Sequence, residues 1–191
     1  GKGSSVAMLE AVLRKSGRRV GCYTSPHIIH YRERIRLHGE TVSDADIVAA
    51  FEAIERARQD VSLTYFEWGT LAALYLFKQS ELDCVILEVG LGGRLDAVNI
   101  VDANVALISS IGIDHVEWLG DSREQISLEK IGIARPSRPL VCADPNPPAV
   151  FIERTGEIGA DLFLRERDFF VQQDAGAWQW QGPANAYHSL P

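Results

Sequence analysis

The sequence predicts a doubly wound α/β fold, a mostly parallel sheet flanked by helices, and three observations carry that prediction. Apolar runs at 83–89, 103–109 and 139–142 read as strands of a parallel sheet, which is covered on both faces and so lacks alternation. Segments of helical period lie between the strand-like runs. The first run ends in an acid, Glu88, followed by Gly90, Gly92 and Gly93. That is the composition expected at the carboxyl edge of an open sheet, where ligands bind.

Taken in order, Gly1-Lys2-Gly3-Ser4 leads into a helix-period stretch from Ser5, with Gly17 as a C-cap. Arg19–Thr24 reads as a strand, and Ser25-Pro26-His27 as the loop after it, because proline keeps the residue before it out of the helical region. Arg34–His38 alternates as a half-exposed strand. Ser43 with Asp46 forms a loose capping box for a helix to about Arg58. A second helix covers about Phe66–Gln79. Ser122–Ala134 reads as a helix between two strands, and Asp144–Pro148 as a breaker loop. Phe169–Gln173 and Trp178–Gln181, joined by a turn at 174–176, read as a C-terminal β-hairpin.

The 191 residues suffice for one domain with a sizeable core. A net charge of −7 argues against nucleic-acid or anionic-membrane partners, while leaving room for a local anion site at a helix N-terminus. No apolar run approaches the roughly 20 residues of a membrane span. Cys22, Cys84 and Cys142 sit in or beside apolar runs and are odd in number, as buried free thiols in a reducing compartment would be.

Five motifs carry chemistry. In Gly1-Lys2-Gly3-Ser4, glycine backbone and a lysine charge suit a phosphate, although a plain glycine-rich helix start reads the same way. Glu88 suits Mg²⁺ at a strand end; a strand end followed by a turn is the plain alternative, and the nicotinamide fingerprint fails because Leu95 stands where its third glycine belongs. His115, after Asp114, reads as a metal ligand, a base or a capped loop residue. Lys130 lies on a helix, where exposure is the ordinary state of a lysine. Thr64-Tyr65-Phe66-Glu67-Trp68-Gly69-Thr70 reads as core packing at a helix start, or as an aromatic and acidic lip for a flat heterocycle.

Together the runs GKGS, YTSPH, ERIR, LTYFEWGTLAAL, EVGLGGRLDAVNIVDA, SSIGIDHVEWLG and EKIGI resemble the Mur ligase superfamily and, within it, the dihydrofolate synthase/folylpolyglutamate synthase family. The resemblance spans nearly the whole chain. It implies a P-loop-type ATP-binding domain, represented incompletely by residues 1–191. The front of the phosphate loop is expected upstream of Gly1, and further ATP contacts and a closing domain after Pro191. The chain alone is therefore expected to lack ligase activity.

The implied reaction is ATP- and Mg²⁺-dependent: a carboxylate of dihydropteroate or of a folate glutamate tail becomes an acyl phosphate, which the amine of L-glutamate attacks. The resemblance also implies roles for residues. Gly1, Lys2, Gly3 and Ser4 hold nucleotide phosphate. Ser25, Glu88 and His115 are metal ligands. Lys2, His115 and Lys130 serve catalysis, with Lys130 carbamylated. Thr64, Tyr65, Phe66, Glu67, Leu95, Asp96 and Ala97 touch the pterin. The expected setting is cytoplasmic. Two alternatives stay open, a Mur-type ligase of cell-wall precursors and a non-catalytic nucleotide-binding relative.

Overall fold

A computed structural model of the chain describes residues 1–174 and 176–190, with the side chains of Asp174 and Ser189 excepted. Ala175, in the expected hairpin turn, lies outside the described residues. The chain divides into two compact units: Gly1–Leu91 with Asp96–Ile100, and Gly92–Leu95 with the chain from Val101 onward.

In the first unit, β1 (Val20–Tyr23) is buried throughout and pairs on both sides. It runs parallel to β4 (Cys84–Leu87), with Val20 opposite Cys84 and Tyr23 opposite Leu87. It runs antiparallel to β2 (Ile35–Leu37), which continues to β3 (Glu40–Thr41), so the order is β3-β2-β1-β4. The run at 83–89 was expected to be buried on both faces, yet Val85 is 41% exposed. The reason is position, since β4 is the edge strand of this sheet.

Three helices accompany that sheet. Helix α1 spans Lys2–Lys15, beginning three residues before the expected helix-period stretch at Ser5. Gly1 is its N-cap, and the Ser5 N–H donating to the Gly1 carbonyl (3.2 Å) closes the first turn. Lys2, Gly3 and Ser4 thus form a helical turn and not a free loop. Helix α2 (Asp44–Arg58) starts at the expected Ser43–Asp46 capping box. Helix α3 (Tyr65–Gln79) has a second such box, in which the Thr64 N–H donates to Glu67 Oε2 at 2.6 Å. Its small residues Ala72 and Ala73 are fully buried and join Tyr23, Ile35 and Ala50 in the core.

Under α1, Val6, Val20 and Cys22 make a smaller apolar cluster. Beside it the Glu10 carboxylate accepts from Arg36 Nη2 at 2.8 Å, and both side chains are largely buried. Burial, then the Glu10 charge, pushes the Cys22 thiol up to about 12, so it stays protonated as the sequence suggests.

In the second unit, β5 (Ala106–Ile108), β6 (Pro139–Cys142) and β7 (Asp161–Leu164) form a parallel sheet in the order β5-β6-β7, of which the runs at 103–109 and 139–142 were expected, while the run at 83–89 lies in the other sheet as β4. Helix α4 is a single turn, Val116–Leu119. Helix α5 (Arg123–Ile131) is capped by Ser122, whose Oγ accepts from the Gln125 N–H. Helix α6 (Ala149–Ile158) and β7 were not anticipated from the sequence: Pro147 and Pro148 masked the helix start, although proline is tolerated there because first-turn N–H groups need no partner in the helix. Ile126, Leu140, Cys142 and Phe151 fill this core.

The expected hairpin is present as β8 (Phe170–Asp174) and β9 (Ala177–Gln181), with Phe170 opposite Gln181. A further strand, β10 (Ala186–Leu190), pairs with β9 and makes a three-stranded antiparallel meander. Among the described residues, no helix is long and apolar enough to cross a membrane. Cys22, Cys84 and Cys142 are free thiols.

The Glu10–Arg36 pair yields a stability prediction. Glu10→Ala leaves a buried guanidinium without its carboxylate and should cost about 3 kcal/mol in a urea unfolding titration. A loss under about 0.5 kcal/mol would place the pair among ordinary surface contacts.

Candidate functional site

Three sequence-predicted residues of the first unit come together. Glu88 follows β4 directly, and its N–H donates to the Tyr23 carbonyl at 2.9 Å, which extends the parallel ladder past β1. That bond holds Glu88 beside the loop after Tyr23. The Ser25 N–H donates to Glu88 Oε2 at 3.3 Å, and the Ser25–Pro26 peptide is cis. A Cβ added to Gly3 would stand 3.9 Å from both Glu88 carboxylate oxygens, so the acid faces the first turn of α1 across a side-chain-free position.

Glu88 is 6% exposed and pairs with no cation among the described residues, where Oε1 has no hydrogen-bond donor. A buried carboxylate so poorly compensated is costly unless a positive group joins it. Its oxygens suit a hard divalent cation, which takes oxygen ligands and commonly retains several waters. Among the described residues no three His, Cys, Asp or Glu side chains converge as a complete metal cage.

The N-terminus of α1 is where an anion could be received. Its 14 residues carry no acid in the first turn and no side-chain cap, which leaves N–H groups and the positive dipole end available. Lys2 Nζ donates to the Gly90 carbonyl at 3.1 Å, drawing the ammonium toward the loop after β4.

That loop is tightly shaped. A Cβ on Gly90 would lie 2.7 Å from the Phe66 ring, so glycine permits the ring to pack on bare backbone. Asp96 Oδ2 accepts from the Leu91 N–H (2.9 Å) and Oδ1 from the Val98 N–H (3.1 Å), so this predicted pterin contact has structural work in its own loop. Thr64 and Glu67 are likewise engaged in their capping box. Tyr65 is 60% exposed and borders a cavity of about 380 Å³ with Tyr31, Phe51 and Trp68. Ala97 opens a short 3₁₀ turn, Ala97–Ile100.

The loop from Ser25 toward β2 is anchored by Glu33, whose carboxylate accepts from the N–H groups of Ile28 (2.8 Å), Ile29 (3.0 Å) and His30 (2.6 Å). The His30 and Ile28 bonds lead in lowering its pKa to about 2.

In the second unit, Gly92 and Gly93 press onto the end of α5: a Cβ on Gly93 would be 2.9 Å from the Glu129 carbonyl. Arg94 completes that contact with an ion pair to Glu129 at 2.8 Å. Leu95 is 80% exposed. Lys130 lies in the last turn of α5, half-buried. His115 adopts a left-handed backbone (φ 51°) as the N-cap of α4, with a side chain exposed beside the Asp114 carboxylate at 3.7 Å. A non-glycine residue in that conformation is uncommon outside constrained sites.

Two features escaped the sequence reading. Arg34 is buried with no acidic partner among the described residues, and its ERIR setting gave no sign of that. Asp144, within the expected breaker loop, is 6% exposed and accepts from the N–H groups of Ile111 (2.8 Å) and Asn146 (2.9 Å) and from Arg123 (3.1 Å). It ties the segment after β5 to the segment after β6. Burial works to raise the Asp144 pKa, but the Ile111 and Asn146 N–H groups and Arg123 outweigh it and hold it below the ordinary value. The only signal available was an acid two residues past a parallel strand, close to the position Glu88 holds after β4.

No family model matches the chain. A dihydrofolate synthase/folylpolyglutamate synthase of Haemophilus influenzae is 46% identical over 191 residues, covering 100% of this chain and 44% of the relative. Among solved structures, E. coli FolC in complex with DHPP and ADP matches with TM-score 0.98 and 46% identity, over 100% of this chain and 46% of that one. A bifunctional folylpolyglutamate synthase/dihydrofolate synthase with Mn, AMPPNP and L-glutamate bound matches with TM-score 0.94 and 48% identity, over the same shares. The chain spans just under half the length of these relatives.

Two pH and stability outcomes follow from the carboxylates. Both groups have depressed folded-state pKa values, so each contributes stability above its unfolded value that is lost as pH falls through the folded one. For Glu33, carboxyl ¹³C NMR should show a midpoint of about 2, and a midpoint in the ordinary glutamate range near ~4.3 would mean that the three N–H bonds do not form in solution. For Asp144, Asp144→Ala should lower unfolding free energy by about 3 kcal/mol at neutral pH, with the deficit shrinking in acid.

Proposed function

Homology along all 191 residues makes this chain a member of the dihydrofolate synthase/folylpolyglutamate synthase family, and we propose that it is the nucleotide-binding part of an ATP- and Mg²⁺-dependent carboxylate–amine ligase. The substrates of the whole protein are ATP, L-glutamate and dihydropteroate or a folate tail. The carboxylate takes the γ-phosphoryl group to become an acyl phosphate. The glutamate amine then displaces phosphate, leaving an amide and ADP. The ADP, DHPP, AMPPNP, Mn and L-glutamate bound by the relatives support this substrate set.

The observation that carries the reading is the buried Glu88 carboxylate facing the first turn of α1 with Ser25 at its side. Phosphoryl transfer asks a protein mainly for positioning and charge neutralisation. The first-turn N–H groups of α1 and the Lys2 ammonium bind phosphate oxygens. To do so Lys2 exchanges its bond to the Gly90 carbonyl for one to the ligand. Glu88 and the Ser25 hydroxyl are the residues that would hold Mg²⁺, which when bound supplies positive charge against the phosphoryl oxygens. Phe66, packed on the bare backbone of Gly90, offers an aromatic face to a pterin.

For His115 a role as metal ligand, and for Lys130 carbamylation, rest on the family resemblance. The exposed imidazole of His115 is compatible with ligation. Carbamylation requires the neutral amine of Lys130 to add to CO₂ with loss of a proton. A cytoplasmic setting belongs to the same proposal. No observation favours the cell-wall branch or a non-catalytic module.

The test is ADP release by the full-length protein, which should require ATP, glutamate and the pteroate or folate substrate together. Glu88→Gln should lower kcat on the order of 100-fold. Its unfolding midpoint should be unchanged or raised, since a buried charge is removed. Undiminished turnover of Glu88→Gln at low magnesium would overturn the assignment.

A further inference from the structure

Arg36, on β2, joins three segments that lie far apart in sequence. Its Nη2 donates to Glu10 Oε2 at 2.8 Å and its Nε to the same oxygen at 3.1 Å, which grips the carboxylate on α1. Its Nη1 donates to Thr24 Oγ1 at 3.2 Å and to the Glu33 carbonyl at 3.4 Å. All three guanidinium nitrogens are thus engaged. Thr24 immediately precedes Ser25, and Glu33 is the residue whose carboxylate gathers the N–H groups of Ile28, Ile29 and His30. One rigid plane therefore ties α1 to both ends of the loop that carries Ser25.

Stability alone is a poor reason for this arrangement. A buried ion pair seldom stabilises a fold more than apolar side chains of the same size would, and its best-attested use is to fix register. The sheet has its register already: Cys22 lies opposite Arg36 and Tyr23 opposite Ile35, and the Thr24 N–H donates to the Arg34 carbonyl at 2.8 Å. Helix α1 is otherwise attached through the cluster of Val6, Val20 and Cys22, with Leu13 packed against it. Apolar contact is non-directional and leaves sliding of the helix along its axis weakly specified. The charged fork supplies the missing direction. Because α1 is one helix of 14 residues, holding Glu10 also holds the first turn, about 12 Å away along the axis. That is the turn whose Gly3 faces the Glu88 carboxylate.

We propose that Arg36 is a positioning residue that sets the first turn of α1 against Ser25 and Glu88, so that phosphate and divalent cation are bound together and not separately. This role rests on the reading of Lys2, Ser25 and Glu88 as the nucleotide and cation site. Arg36 acts on that site only through Glu10 and Thr24. Mg²⁺ tolerates little departure from octahedral geometry, so a small slip of α1 relative to Ser25 weakens cation binding while each half of the site persists.

The probe is AMPPNP, titrated by calorimetry into the full-length protein with Mn²⁺ present and, separately, with EDTA. The quantity read is the factor by which Mn²⁺ tightens AMPPNP. Thr24→Val keeps the side-chain shape and removes the acceptor; it should reduce that factor about fivefold and leave the EDTA affinity unchanged. Thr24→Ser restores the hydroxyl and should return the wild-type factor. Arg36→Lys keeps a charge against Glu10 but loses the fork, and should reduce the factor about tenfold. A merely structural role would lower the unfolding midpoint without changing the factor. An unchanged factor in Thr24→Val, an equal loss of affinity with Mn²⁺ and with EDTA, or no tightening by Mn²⁺ in the wild-type protein would each overturn the proposal. ADP release with all three substrates separates this from the ligase reading. Turnover together with an unchanged factor in Thr24→Val sinks the positioning role alone, whereas a reduced factor without wild-type turnover sinks the ligase reading alone. If Arg36→Lys does not fold, the two Thr24 variants decide.

Discussion

The parallel pairing of β1 with β4 is the constraint on which the first unit depends. It delivers the ends of both strands to one place, and the bond from the Glu88 N–H to the Tyr23 carbonyl extends it by one residue. The acid is thereby held beside the turn at Ser25 and against the glycine face of α1. A carboxylate in that position cannot relax into water, because its backbone is part of the ladder. Its charge remains poorly answered among the described residues.

The surroundings of that ladder are stiffened by carboxylates serving as backbone caps. Glu33 collects three successive N–H groups, and Asp96 shapes the glycine loop in the same manner. In the second unit Asp144 does this for the segments after β5 and β6, aided by Arg123. Ionised side chains accept such bonds more strongly than neutral ones, and the loops shaped by Glu33 and Asp96 carry Ser25, Leu95, Asp96 and Ala97 among the residues singled out for chemistry. Rigidity of this kind favours ligand binding because little ordering remains to be done when the ligand arrives.

The role of glycine in this chain is local and specific. Gly90 lets Phe66 lie on backbone, Gly93 lets its loop touch the end of α5, and Gly69 opens room for two phenol oxygens. These contacts involve residues distant in sequence. The pattern GLGG therefore advertises close approach without saying to what, and the nicotinamide alternative could be set aside only by counting to Leu95.

Sequence alone determined the strand–helix alternation, the parallel character of the apolar runs, the Ser43 cap and the free thiols, because each is written in period-2, period-3.6 or short-range capping chemistry. Motif order likewise marked out Lys2, Ser25 and Glu88. Tertiary structure decided that Lys2–Ser4 are helical, that β4 is an edge strand, that α6 forms behind its prolines, and that β10 extends the hairpin. It alone revealed Arg34 buried with no counter-ion among the described residues and Asp144 as a buried clasp. The physical reason is that strand position and charge compensation depend on which distant groups become neighbours, and local residue pattern does not encode that partnership.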